Sequence, residues 1–208
     1  MKALLLIDLQ NDFMPSGSLP VAGGDAVIPV ANRLIGALAS KAIIVATQDW
    51  HPANHGSFAS QYPGKSPGEL TQLGGVEQIL WPDHCVQLGF GAQLHHDLDS
   101  KRIERLFYKG TDVGIDSYSA FFDNGHRRAT GLGDWLRQRG VSEVIALGLA
   151  TDICVKFSVL DALELGFDVT VVEDGCRGVN LRPEDSENAL AEMAERGARL
   201  AGSSELVA

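Results

Sequence analysis

Short apolar runs alternate along this chain with segments in which apolar residues recur every three or four positions, and few folds accept that rhythm. Ala3–Asp8, Ala42–Gln48, Glu143–Leu149 and Phe167–Val172 are too brief for helices and almost continuously apolar, as strands buried on both faces must be. Ile103–Tyr108 and Ala198–Ala201 read as further strands. Between them, Asp25–Ser40 places Val27, Val30, Ala31, Leu34, Ile35 and Leu38 on one helical face. Leu132–Arg139 and Asp152–Leu165 read as helices closed by Gly140 and Gly166; Pro183–Arg196 opens with proline and stops at Gly197. The alternation predicts an α/β chain: a three-layer αβα sandwich, its mostly parallel sheet flanked by helices on both faces. At 208 residues, 45% of them hydrophobic, a single domain over 1–208 is expected.

One stretch breaks the rhythm. Residues 49–100 are rich in Gly, Pro and His, with little periodicity. A connection of that length is usually functional or disordered, and its aromatic and metal-type residues favour function. The formal net charge of -10 argues against nucleic acid and anionic membrane as partners. No apolar run approaches the ~20 residues of a spanning helix. The run after Met1-Lys2 stops at Asp8, too soon for a signal-peptide core. Three irregularly spaced cysteines argue against a disulfide framework. The expectation is a cytoplasmic protein acting on a small molecule, with homo-oligomers left open.

Open α/β sheets bind ligands beyond the carboxyl ends of their strands. Asp8 follows the first strand, Asp49 and His51 the second, and Lys109 the third. Ala150-Thr151-Asp152 and Cys154 follow the fourth, and Glu173-Asp174-Gly175-Cys176 the fifth. Each alone has a plainer explanation: a strand-end aspartate caps a turn, a lysine before glycine is solvated, a free cysteine fills a core. Together they fall on one rim.

Cys154 is the strongest nucleophile candidate, because it lies in the first turn of a helix directly after a strand. Free N–H groups and partial positive charge there favour thiolate and can hold an oxyanion. Gly175 and Gly178 make Cys176 read as part of a tight turn, and Cys85, in the long loop, as structural. Asp49 and His51, two apart on an extended segment, project from one face. With His84 from "WPDHC" they form a candidate set for Zn²⁺, Fe²⁺ or Mn²⁺. A polar loop whose histidines cap turns fits the same spacing. His55 is a further candidate ligand or a neighbour of the ligands; His95, His96 and His126 lie in polar segments away from the rim. "GLG" at Gly131–Gly133 and "YPGKS" at Tyr62–Ser66 fail as nucleotide loops: Leu136 and Ala59 stand where glycines are needed, and no strand precedes either.

The segments "LLLIDLQNDF", "TQDWHPANHGSFAS", "WPDHCVQ", "FYKGTD", "DSYSAFFDN", "GLATDICVKFSVLDA" and "DGCRGVN" run in order over nearly the whole chain. On them the sequence resembles the nicotinamidases of the isochorismatase-like cysteine hydrolase superfamily. The resemblance implies a nicotinamidase and pyrazinamidase activity in NAD salvage, with Asp8, Lys109 and Cys154 as catalytic triad and a divalent metal, zinc first, on Asp49, His51 and His84. It aligns Ser57 with a weaker fourth metal position, reached through water. It also implies a cis Leu149–Ala150 peptide that turns the Ala150 N–H beside that of Cys154 as an oxyanion hole. Phe13, Trp81 and Tyr118 match the walls of a pyridine pocket, with Leu19 and Val21 beside them. Two other functions stay open: a related amide or vinyl-ether hydrolase, against which the intact metal motif counts, and a silent metal-binding or interaction module. A silent module would be free to lose Asp8, Lys109 or Cys154, and all three are present.

Overall fold

A computed structural model describes residues 1–207. Eight strands are present: β1 Lys2–Ile7, β2 Ala42–Asp49, β3 Leu70–Leu73, β4 Val76–Ile79, β5 Arg105–Lys109, β6 Glu143–Leu149, β7 Asp168–Arg177 and β8 Arg199–Ala201. The helices are α1 Val27–Leu38, α2 Leu132–Gln138, α3 Lys156–Glu164, α4 Asp185–Glu195 and α5 Ser203–Leu206. Six strands form one sheet in the order β5-β2-β1-β6-β7-β8, and every pairing in it is parallel. Right-handed crossovers then put α1 on one face and α2, α3 and α4 on the other. Gly133 of α2 lies against Leu165 at the end of α3, as that arrangement requires.

β1 is the centre of the core. Ala3 to Ile7 are at most 1% exposed, because Leu4 pairs with Ile44 on one side and Ile145 on the other. The chain runs outward from β1 to β2 and β5, then returns to β6 and proceeds the other way to β7 and β8. Strand order therefore reverses between β1 and β6, and a crevice opens beyond their carboxyl ends. No helix among the described residues is long and apolar enough to cross a membrane.

The sequence reading and the structure differ in four places. β7 continues to Arg177: after a bulge between Ala146 and Gly148, Cys176 pairs with Gly148, so Cys176 is a buried strand residue and not part of a turn. The helix expected from Asp152 begins instead as a π-helical turn, Thr151–Val155, before α3. The irregular stretch contains an antiparallel hairpin, β3–β4, turned by Gly74 and Gly75 with φ of 60° and 79°. A Gly-Gly pair is a hairpin-turn signal in its own right. The short α5 carries too few residues to show a period. The rest of the long stretch is stitched to the rim by bridges from His51 to Val86 and from Phe58 to Trp81.

Gly148 of β6 pairs with Ile7 of β1, opposite the bulge in β7. Its φ is +139°, and a Cβ there would sit 2.1 Å from the Ile7 carbonyl oxygen. Gly148→Ala is predicted to destabilise the protein by about 2–4 kcal/mol, from the backbone conformation and the clash together. Urea unfolding midpoints measure it; a loss within about 0.5 kcal/mol, the range of an ordinary surface change, counts against this packing.

Candidate active site

The strand ends deliver their polar residues to one buried cluster. Asp8 leaves β1 at φ 52°, and its Oδ1 accepts the Thr47 hydroxyl at 2.6 Å. Asp49 and Lys109 are register partners on β2 and β5, so both point from the same edge of the rim. Lys109 Nζ lies 2.5 Å from Asp49 Oδ1, 2.8 Å from Asp8 Oδ2, 3.1 Å from the Ser117 carbonyl and 3.4 Å from Cys154 Sγ. The Lys109 and Asp8 side chains have no solvent exposure.

Burial separates the charge states of this cluster. For Lys109 it disfavours the ammonium, yet Asp49 and Asp8 outweigh it and hold the pKa well above the ordinary lysine value. For Asp49 burial favours the acid form, but Lys109 and His51 reverse the balance and keep it well below the usual carboxylate range. For Asp8 burial prevails over Lys109, and the nearby Asp49 adds to it, so its pKa is raised. Of the two carboxylates on one ammonium, Asp49 is the fixed charge and Asp8 the group able to take up a proton. Asp8 Oδ2 meets the ammonium but accepts no directed hydrogen bond, which leaves it free to accept one.

Cys154 sits in the π-helical turn, buried, with its thiol pushed well above the ordinary value by burial. Lys109 pulls the other way, while Asp8 and Asp49 add to the rise. The helix start alone favours thiolate, but in this buried cluster holding two carboxylates desolvation weighs toward the thiol. Burial likewise pushes Cys176 up to about 12 and Cys85 well above its usual value. The Cys85 N–H donates to Asp12 Oδ2 at 2.7 Å, a bond that anchors the long loop.

Asp49 has a second face. Its Oδ2 lies 3.7 Å from His51 Nε2 and 3.8 Å from His84 Nε2. His51 Nδ1 donates to the Gly110 carbonyl and His84 Nδ1 to the Pro82 carbonyl, each at 2.8 Å. Both imidazoles therefore carry a proton on Nδ1 and turn Nε2 toward the carboxylate, the nitrogen that a metal would take. The donor atoms lie within 4.8 Å of one another, a spacing and a chemistry that fit one divalent ion. His55 is fully buried against His51, with ring centroids 4.3 Å apart. Its Nδ1 is 2.7 Å from the Ser57 hydroxyl and its Nε2 has no partner. Ser57, aligned above with a weaker fourth position, is engaged by His55.

The cavity above these groups encloses about 360 Å³ with its mouth. Cys154, Ala150, Asp49, His51 and His84 all line it. Phe13, Leu19, Trp81 and Tyr118 form walls. The Tyr118 hydroxyl accepts from Trp81 Nε1 at 3.2 Å and Gln78 Nε2 at 2.9 Å, and burial raises its pKa above the usual phenol value. Val21 is not in the lining: its N–H donates to the Phe13 carbonyl and its side chain packs on Gly24, so it backs the wall from the core. The Leu149–Ala150 peptide is cis.

Sequence reasoning missed Asp116, Ile153 and Val179, which also line the cavity. Asp116 is 3% exposed and accepts Ser117 N–H at 2.8 Å and Gln78 Nε2 at 3.1 Å. It lies in a loop between β5 and α2, where no strand end or period singles it out. Ile153 carried a signal, its adjacency to Cys154; Val179 carried none.

The isochorismatase domain model matches residues 2–205. The nicotinamidase of Escherichia coli (strain K12) is 57% identical over 200 residues, covering 96% of this chain and 93% of that protein. Among solved structures, an Acinetobacter baumanii nicotinamidase/pyrazinamidase superposes with a TM-score of 0.94 at 42% identity, covering 99% of this chain and 97% of that one. A pyrazinamidase of Pyrococcus horikoshii, in complex with zinc, superposes with a TM-score of 0.78 at 39% identity, covering 97% and 98%.

The charge cluster predicts a specific pattern of stability. Lys109→Met strands two carboxylates and is expected to destabilise the metal-stripped protein by about 3–5 kcal/mol. Asp8→Asn added to it should recover part of that loss, since one stranded charge is removed. Urea unfolding of wild type, both single variants and the double variant tests this; strictly additive losses would show that Lys109 and Asp8 do not interact.

Proposed function

This chain belongs to the isochorismatase family, and from that footing we propose that it is a cysteine amidohydrolase converting nicotinamide and water to nicotinate and ammonia, with pyrazinamide as a second substrate. The observation that carries the reading is one cavity lined both by Cys154, with Lys109 and Asp8 buried beside it, and by a three-donor metal group. The high identity to the Escherichia coli nicotinamidase supports the same substrate. We place the working unit at residues 1–208, as one domain in the cytoplasm, where three unpaired buried cysteines remain reduced.

Asp8, with its raised pKa, takes the Cys154 thiol proton as sulfur attacks the carboxamide carbon. Lys109 stays an ammonium and holds Asp8, Asp49 and the sulfur in register. The carbonyl oxygen becomes an oxyanion facing the N–H groups of Ala150 and Cys154. Asp8 then gives its proton to the nitrogen, the C–N bond breaks and ammonia leaves. Water adds to the thioester carbon, losing a proton to Asp8; the C–S bond breaks as Asp8 returns that proton to sulfur, and the acid departs as nicotinate, its remaining proton going to ammonia or solvent. Phe13, Trp81 and Tyr118 hold the ring flat in this cavity. Asp49, His51 and His84 would hold one divalent ion, zinc by the fit of one carboxylate and two imidazoles, and when bound it supplies a Lewis-acidic site for the pyridine nitrogen.

Cys154→Ala is predicted to abolish ammonia release while the fold persists. Asp8→Asn should lower kcat by at least ~10², the scale of a lost acid–base group. A folded Cys85→Ala variant without activity, beside an active Cys154→Ala, would overturn the nucleophile assignment.

Elemental analysis should find one divalent ion per chain and its loss in His51→Ala; full occupancy in both His51→Ala and His84→Ala removes this ligand set. Nicotinamide and pyrazinamide should both be hydrolysed. Benzamide keeps the shape without the ring nitrogen, and kcat/KM should fall about ten- to a hundredfold, as for one lost polar contact. Benzamide turned over as well as nicotinamide would mean that the ring nitrogen is not read.

A further inference from the structure

Asp152 stands two residues before Cys154 and takes no part in the chemistry above. It is 5% exposed and absent from the cavity lining. An aspartate at the start of a helical segment ordinarily caps the N–H groups of its own turn. This one reaches across the fold instead. Its Oδ1 accepts the Val179 N–H at 2.9 Å and its Oδ2 the Asn180 N–H at 2.7 Å, in the segment that crosses from β7 to α4.

That segment has little freedom. A Cβ on Gly178 would lie 1.8 Å from Ser186 Oγ and 3.1 Å from Asp152 Oδ1, so backbone and carboxylate are in close contact. Asn180, at φ +53°, accepts the Ser186 N–H on its Oδ1 at 3.0 Å, which ties the segment to the first turn of α4. Val179, the residue whose amide Asp152 holds, lines the cavity, as does Ile153. Two amides converging on one buried carboxylate make a strong, directional grip.

We infer that Asp152 is a positioning residue for the ring pocket: by gripping the Val179 and Asn180 amides it fixes the Val179 wall, so the turn that carries Cys154 also sets the width of the pocket. The inference rests on the reading that this pocket takes a pyridine amide. Asp152 touches no reacting atom, and its effect passes through Val179.

Asp152→Asn puts an NH₂ group against one of the two amides and breaks that bond. The expected result is a KM for nicotinamide raised at least ~10-fold, the scale of one charged hydrogen bond, with kcat changed less than about threefold. Deuterium exchange at Val179 and Asn180 should quicken, while alkylation of Cys154 by iodoacetamide, too small to need the wall, keeps its rate. Val179→Ala should raise KM alike, and the double variant should be no worse than either alone. Asp152→Glu keeps the charge but is one methylene too long, and should also raise KM at near-constant kcat, which keeps the test open where the Asn variant does not accumulate. Unchanged KM in the folded variants, strictly additive KM effects, or a parallel fall in kcat and alkylation rate would overturn the inference. A wild-type protein inactive on nicotinamide would instead sink the pocket reading, while exchange at Val179 and Asn180 would still report the grip.

Discussion

One fully buried ammonium is the constraint on which this site depends. An unpaired lysine charge at the depth of Lys109 would cost several kcal/mol. It is kept there because Asp49, Asp8 and the Ser117 carbonyl surround it. Those partners come from the ends of β2 and β1 and from the loop after β5, so the ammonium joins three segments of the chain. Its charge also decides how the carboxylates divide their work. Asp49, with Lys109 on one oxygen and imidazoles facing the other, stays ionised; Asp8, more strongly desolvated than compensated, can exchange a proton.

Asp49 is consequently shared. The same side chain closes the charge cluster through Oδ1 and opens the three-donor group through Oδ2. A change at the metal end is therefore felt at Lys109, and a change at Lys109 alters the charge offered to an ion. The reversal of strand order between β1 and β6 makes this sharing possible. It leaves a crevice in which the residue after β1 faces the turn after β6, with β2 and β5 alongside.

Much of this was legible from residue order alone. The all-parallel sheet follows from apolar runs without polar alternation, and the common rim follows from listing what comes after each run. Asp8, Asp49, Lys109 and Cys154 were named in that way, and the structure brings them within one cluster. His51 and His84 could be paired with Asp49 by donor chemistry. Pattern failed where a residue's neighbours lie far off in the chain. Cys176 read as a turn residue because Gly175 and Gly178 flank it, whereas the bulge opposite Gly148 lets β7 run on through it. Val21 was expected in the pocket wall, but the bond from its amide to Phe13 sets it one layer behind.

The sequence by itself determined the fold class, the rim and the donor types, because periodicity and side-chain chemistry are local properties that survive without coordinates. Tertiary structure alone decided the protonation states and the shape of the pocket. Whether Cys154 rests as thiol or thiolate depends on desolvation set against Lys109, Asp8 and Asp49, which arrive from three other strand ends. Val179, which lines the cavity, has its amide held by a carboxylate 27 residues earlier in the chain. Both are sums over neighbours distant in sequence, and no local pattern encodes such a sum.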